Sequence, residues 1–117
     1  MRTTEEVLSS HEAALGEQNP DKLSTHYATD AVLIVNGTTY EGPAAIARFY
    51  AGLLLELPGA TWRNNIAVIH GDLAYFEWAC ESAASSVRFG TDTFVVREGL
   101  ITRQTASFSI TLSLDEP

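Results

Sequence analysis

Along the first half of the chain, apolar residues recur at helical spacing and are interrupted by turn signals. Val7, His11, Ala14 and Leu15 fall on one helical face. Thr3 or Thr4 stands where a cap belongs, and Thr3 followed by Glu6 matches the capping-box spacing. Asn19-Pro20 restarts the chain, with Asn19 as N-cap and Pro20 in the first turn. The second helix predicted there is short and runs to about Tyr27. Residues 31–35 (AVLIV) read as an apolar strand, Asn36-Gly37 as a two-residue hairpin turn, and residues 38–41 as the returning strand. Gly42-Pro43 opens a third helix, which carries Ile46, Phe49, Tyr50, Leu53 and Leu57 on one side before Pro58-Gly59 stops it.

Beyond residue 60 the period changes to two. Four long strands are predicted, at about 60–70, 73–84, 88–97 and 100–112. Their connectors are Gly71-Asp72, Ser85-Ser86-Val87 and Glu98-Gly99, short enough to make antiparallel neighbours. Helices segregated from a mostly antiparallel sheet define an α+β domain. In the strand from Leu73 the even residues, Ala74, Phe76, Trp78 and Cys80, are all apolar. The odd face mixes Leu73, Tyr75 and Ala79 with Glu77 and Glu81. One face must meet the helices. The other is half apolar, which an oligomer interface would explain.

Asp92 breaks this pattern. Aspartate is depleted in strands, yet here it shares a face with Phe94 and Val96. Gln104, on the next strand, has the parity of Thr102, Ala106, Phe108 and Ile110 and should also point inward. A buried amide needs hydrogen-bond partners, so it serves either structure or a ligand. Trp78, Phe76, Phe108, Trp62 and Tyr50 are candidate pocket walls, with plain core as the alternative.

Composition narrows the partners. The chain has 117 residues, a length suited to one domain, and a formal net charge of −8. Its seven Lys and Arg are scattered, so nucleic acid and anionic membrane surfaces are excluded as expected partners. A small hydrophobic molecule or another protein remains. Cys80 is the single cysteine, and it forms no intramolecular disulfide, which suits a reducing compartment. No signal-peptide run or membrane span is evident, and the expected location is cytoplasmic. His and Cys show no metal-ligand spacing, and there is no phosphate loop or nucleophile elbow. No metal or cofactor is expected.

Residues 27–50 (YATDAVLIVNGTTYEGPAAIARFY) and 89–108 (FGTDTFVVREGLITRQTASF) resemble nuclear transport factor 2-like proteins. Within that superfamily the chain resembles the ketosteroid isomerase-like and SnoaL-like (polyketide cyclase-like) group. The resemblance implies a cone-shaped α+β barrel, in which a strongly bent sheet wraps around the helices and leaves a pocket beside the first helix. It also implies dimers through the outer sheet face. Ketosteroid isomerases hold a tyrosine, a carboxylate base and a second, neutral acid in that pocket. Carried over along Tyr27-Ala28-x-Asp30-Ala31, the tyrosine position falls on His11, the base position on Val35 and the second acid on Asp92. Val35 cannot take a proton, a departure that weighs against steroid isomerisation. The remaining pair, His11 and Asp92, suggests a histidine general acid/base oriented by an aspartate. Each also has a structural alternative, as a satisfied junction histidine or a paired buried acid. The expected activity is proton transfer on a hydrophobic carbonyl compound, as in isomerisation, cyclisation or dehydration, with a non-catalytic hydrophobic-ligand-binding module or a protein-interaction/dimerisation module as the alternatives. Epoxide-hydrolase members of the fold use an Asp-Arg-Asp set, and here Arg103 should point outward. His26 and His70 read as surface residues.

Overall fold

The computed structural model describes residues 1–113, which form three helices and seven strands. Helix α1 (Thr4–Gly16) begins at the Thr3 cap. The Thr3 hydroxyl accepts from Glu6 N–H, and the Glu6 carboxylate accepts from Thr3 N–H. Helix α2 (Pro20–Ser24) begins at Asn19, whose side chain accepts from Lys22 N–H. It ends one turn before the sequence pattern suggests, and Tyr27 instead opens β1 (Tyr27–Val35).

Asn36 and Gly37 both take positive φ, 49° and 87°, the conformation that a two-residue hairpin demands. The Asn36 side chain also bonds Phe108 twice, accepting from its N–H at 3.0 Å and donating to its carbonyl at 2.9 Å. The hairpin tip is thereby tied to the end of the strand beside it. β2 (Thr38–Glu41) returns, and α3 (Gly42–Glu56) follows with Ile46, Tyr50, Leu53 and Leu54 buried.

The meander is β3 (Thr61–His70), β4 (Leu73–Glu81), β5 (Ser85–Arg97) and β6 (Leu100–Phe108). The sheet order is β2-β1-β6-β5-β4-β3, with β1 and β6 parallel and the other pairs antiparallel. Two boundaries differ from the pattern-based reading. Ser85-Ser86-Val87 belongs to β5, and the turn lies just before it, held by the Ser82 hydroxyl. Ser85 looks like a turn residue locally, but its hydroxyl donates to the Glu56 carbonyl at the end of α3. Strand six stops at Phe108, and a separate β7 (Thr111–Leu112) pairs with the start of β5.

Irregular registers bend the sheet. Pairing shifts between Asn64 and Ile66, between Trp78 and Cys80, and between Val95 and Val96, and such bulges kink and twist a strand. At the last of these, Ile101 is buried on one parity and Gln104 on the other. Thr102 is the extra residue, and its hydroxyl donates to the Val95 carbonyl. The bulge thus turns Gln104 inward and leaves Arg103 exposed on the outer face. At the β4–β5 shift, Gly90 faces the interior and Phe89 is 58% exposed.

Candidate functional site

The concave face of the sheet carries three side-chain rows. Register places Ala74, Phe94 and Gln104 in one, Phe76, Asp92 and Ala106 in the next, and Trp78, Gly90 and Phe108 in the third. Gly90 is required by its neighbour. A Cβ there would stand 2.4 Å from an indole carbon of Trp78, so the ring lies directly over the backbone. With α1 and α3 across from these rows, the face encloses a cavity of about 590 Å³.

His11, Asp92, Gln104, Trp78, Phe76, Phe108, Trp62 and Tyr50 all line that cavity. Val35 does not. It lies in a separate open hollow with Asn36, Thr38 and Tyr40, beyond Phe49, Leu53 and Phe108, which border both spaces. α3 packs over β1, and Val35 is buried. Phe94, which shares the face of Asp92, and Phe49, on the apolar side of α3, join the wall.

Four polar side chains form a connected network at the floor. Tyr27 donates to Gln104 Oε1. The hydroxyls of Tyr27 and Tyr50 are 3.0 Å apart. Because the Tyr27 proton goes to Gln104, Tyr50 is the donor in that contact. The Gln104 amide nitrogen spends its two protons on Tyr50 (3.3 Å) and on Asp92 Oδ1 (3.2 Å). Gln104 is therefore satisfied on both ends, as a buried amide must be. The hub role of the two tyrosines was not read from the sequence. A tyrosine at inward strand or helix parity gives no sign of which groups its hydroxyl will meet.

His11 and Asp92 do not form the orienting pair expected from the sequence. His11 Nε2 lies 3.4 Å from the Tyr50 hydroxyl, and Nδ1 has no partner. Tyr50 and Gln104 stand between the two ionisable groups. The edges and faces of Phe94, Tyr50, Tyr27 and His26 surround the His11 ring, with centroids 5.4, 5.7, 6.0 and 6.2 Å away. Desolvation, with the adjacent His26 adding to it, pushes its pKa down to about 3. His11 is thus a neutral imidazole and a poor proton acceptor. His26 is buried as well, at 8% exposure, and not on the surface as its place at an element end implied. The early end of α2 brings it inside, where its carbonyl accepts from Ile101 N–H.

The same desolvation drives Asp92 the other way, up to about 7. The hydrogen bond from Gln104 opposes the rise. The Trp78 indole N–H also draws on the carboxylate, although it completes no hydrogen bond with it or with any other group. Burial and the Asp92 charge hold both tyrosine hydroxyls well above their ordinary range. At the mouth, Asn64 donates to Glu12 at 2.7 Å, and Arg63 turns its guanidinium to Asn65. Arg103 points outward, bonding backbone carbonyls of Asp30 and Thr102, so no Asp-Arg-Asp set forms around it. Among the described residues, no group of three His, Cys, Asp or Glu stands where it could hold a metal ion. None of their helices is long and apolar enough to cross a membrane.

Solved structures share this architecture. A protein from Catenulispora acidiphila with a ketosteroid isomerase-like fold, crystallised with trimethylamine, is similar at a TM-score of 0.76. It is 21% identical over 89% of this chain and 85% of its own. A candidate polyketide cyclase from Sinorhizobium meliloti is similar at 0.73, with 22% identity over 86% and 92%. A nuclear transport factor 2-like protein of unknown function from Burkholderia xenovorans is similar at 0.75, with 19% identity over 91% and 82%. At these identities the likeness shows the fold alone. No curated protein matches the chain. Residues 8–104 match the model of the SnoaL-like domain, and the chain belongs to that family.

Proposed function

We propose that the cavity binds a small, largely apolar carbonyl compound and that Asp92 moves a proton on it. One observation carries this reading: a buried carboxylate, its pKa pushed up to about 7 by desolvation, stands on the wall of an aromatic cavity. A general base is most effective when its pKa lies near the working pH. Ionised Asp92 takes a proton from the carbon beside the carbonyl and becomes the acid. The carbonyl oxygen takes up the charge, and the proton returns to the same or a conjugated carbon. His11 serves as a neutral prop for Tyr50 and takes no proton. This assignment transfers the acid/base role from His11 to Asp92 and keeps the reaction class.

The test is hydrogen–deuterium exchange of β-tetralone and propiophenone in deuterated buffer, followed by proton NMR. The wild type is expected to accelerate exchange at the carbon beside the carbonyl. Asp92→Asn, with its fold checked by circular dichroism, is expected to lose that acceleration. Equal exchange by both proteins, or none by either, would overturn the reading.

We also propose that a second copy covers the outer sheet face. Ile66, Val68 and Leu73 are 44, 55 and 47% exposed there, beside the Tyr75–Glu77 hydrogen bond, a mixture suited to an interface. Light scattering at micromolar concentration should give a dimer mass, and a monomer would exclude it.

A further inference from the structure

Inside its mouth the cavity holds one acid and no cation to answer it. The groups facing Asp92 can be counted element by element. α1 presents His11, held neutral, and α3 presents Tyr50. β1 presents the Tyr27 hydroxyl through Gln104. β4 gives Phe76 and Trp78, β6 gives Gln104, and none carries charge. Glu12 and Arg63 are at the mouth, exposed, each bonded to an asparagine. No ion pair involving Asp92 forms among the described residues, and the pairs Lys22–Glu17 and Arg97–Asp72 lie elsewhere.

An ionised carboxylate in such a wall is costly unless something neutralises it. The rest of the wall is suited to hold a cation that would do so. Trp62, Trp78, Phe76, Phe94, Phe49 and Tyr50 border the same space, and ring faces attract cations, most strongly once water is displaced. The chain's net charge of −8 favours the approach of cations over anions.

From this we infer that the cavity also takes a compact organic ammonium ion, tertiary or quaternary, seated on the aromatic rings with its charge opposite Asp92. A primary ammonium fits less well. It brings three N–H donors, and the tyrosine and glutamine oxygens nearby are already engaged. A trialkyl or tetraalkyl ammonium brings one donor or none and presents methyl groups to the rings. The inference rests on the reading of Asp92 as the reactive group of the site. It adds that a bound ammonium holds Asp92 ionised, fills the space and competes with the carbonyl compound.

The experiment measures binding of benzyltrimethylammonium and its neutral carbon isostere, neopentylbenzene, by shifts of the Trp indole NMR signals. Wild type and Asp92→Asn are compared at about pH 8.5 and about pH 5.5. Because the probe is permanently charged, only the protein titrates. The cation should bind the wild type at the higher pH, more tightly than the isostere, and about 30-fold more weakly at the lower pH, where Asp92 is protonated. Asp92→Asn should lose the cation preference at both. The pH dependence in the wild type stands as evidence even if the variant does not fold. Failure of the cation to bind at the higher pH, or equal binding of the isostere, would overturn the inference. If β-tetralone still exchanges protons in either case, the proton-transfer reading survives. If it does not, both fall.

Discussion

The two ionisable groups of the cavity, His11 and Asp92, sit a few side chains apart and are shifted in opposite senses by one cause. Around His11 the neighbours are ring edges, and one ring nitrogen has no partner. Around Asp92 an amide donates to one oxygen, and the carboxylate still borders the cavity. Desolvation penalises whichever form is charged. It disarms the histidine, whose pKa moves far below neutrality, and arms the aspartate, whose pKa moves to it. Residue type alone would assign the roles the other way round.

The largest expected effect concerns chemistry. Asp92→Asn should slow proton exchange by about 100-fold or more, the usual worth of a positioned acid/base. His11→Phe should retain most of the rate, measured by the same assay. A reversal of these two results would invert the comparison.

Stability against pH separates the two groups next. His11 has a folded pKa of about 3 against an ordinary 6.5. Between those values the unfolded chain binds more protons, so His11 makes the fold lose stability as pH falls below 6.5. Asp92 has a folded value of about 7 against 3.8. There the folded chain binds more protons, so stability is lost as pH rises from 3.8 through 7. Denaturant titrations should find Asp92→Asn more stable than wild type at about pH 8, by on the order of 3 kcal/mol, and nearly equal to it at about pH 4. His11→Phe should lose less stability than wild type between about pH 6 and pH 4.

Packing gives smaller effects. Gly90→Ala forces the Trp78 ring off the strand and should cost about 1–3 kcal/mol, with a visible change in tryptophan fluorescence. Tyr27→Phe leaves Gln104 Oε1 without its donor and should cost about 1–2 kcal/mol. It should move the Asp92 midpoint less than Gln104→Leu does, a difference that NMR titration would measure.

Local rules carried most of the fold and part of the site. Capping chemistry at Thr3 and Asn19, the Asn36-Gly37 turn and period-two patterning after residue 60 are local, and the structure has them. The parity of Asp92 and Gln104 was legible for the same reason, since each strand segment keeps its own alternation. What escaped depends on distant partners. The hydroxyl of Ser85 reaches α3, so a turn-like residue sits in a strand. His26 is enclosed because α2 stops early. Val35 has inward parity, but α3 and Phe108 separate it from the cavity. The His11–Asp92 pair failed because Tyr50 and Gln104 lie between them, a contact order that strand parity does not encode.

The most direct measurement is a site-resolved NMR titration of the two groups in the free protein, following the Asp92 side-chain carboxyl carbon and the His11 ring. The account predicts an Asp92 midpoint near 7 and a His11 ring that remains neutral well below its ordinary range while the protein is folded. An Asp92 midpoint near 4, or a His11 that titrates near 6.5, would contradict it.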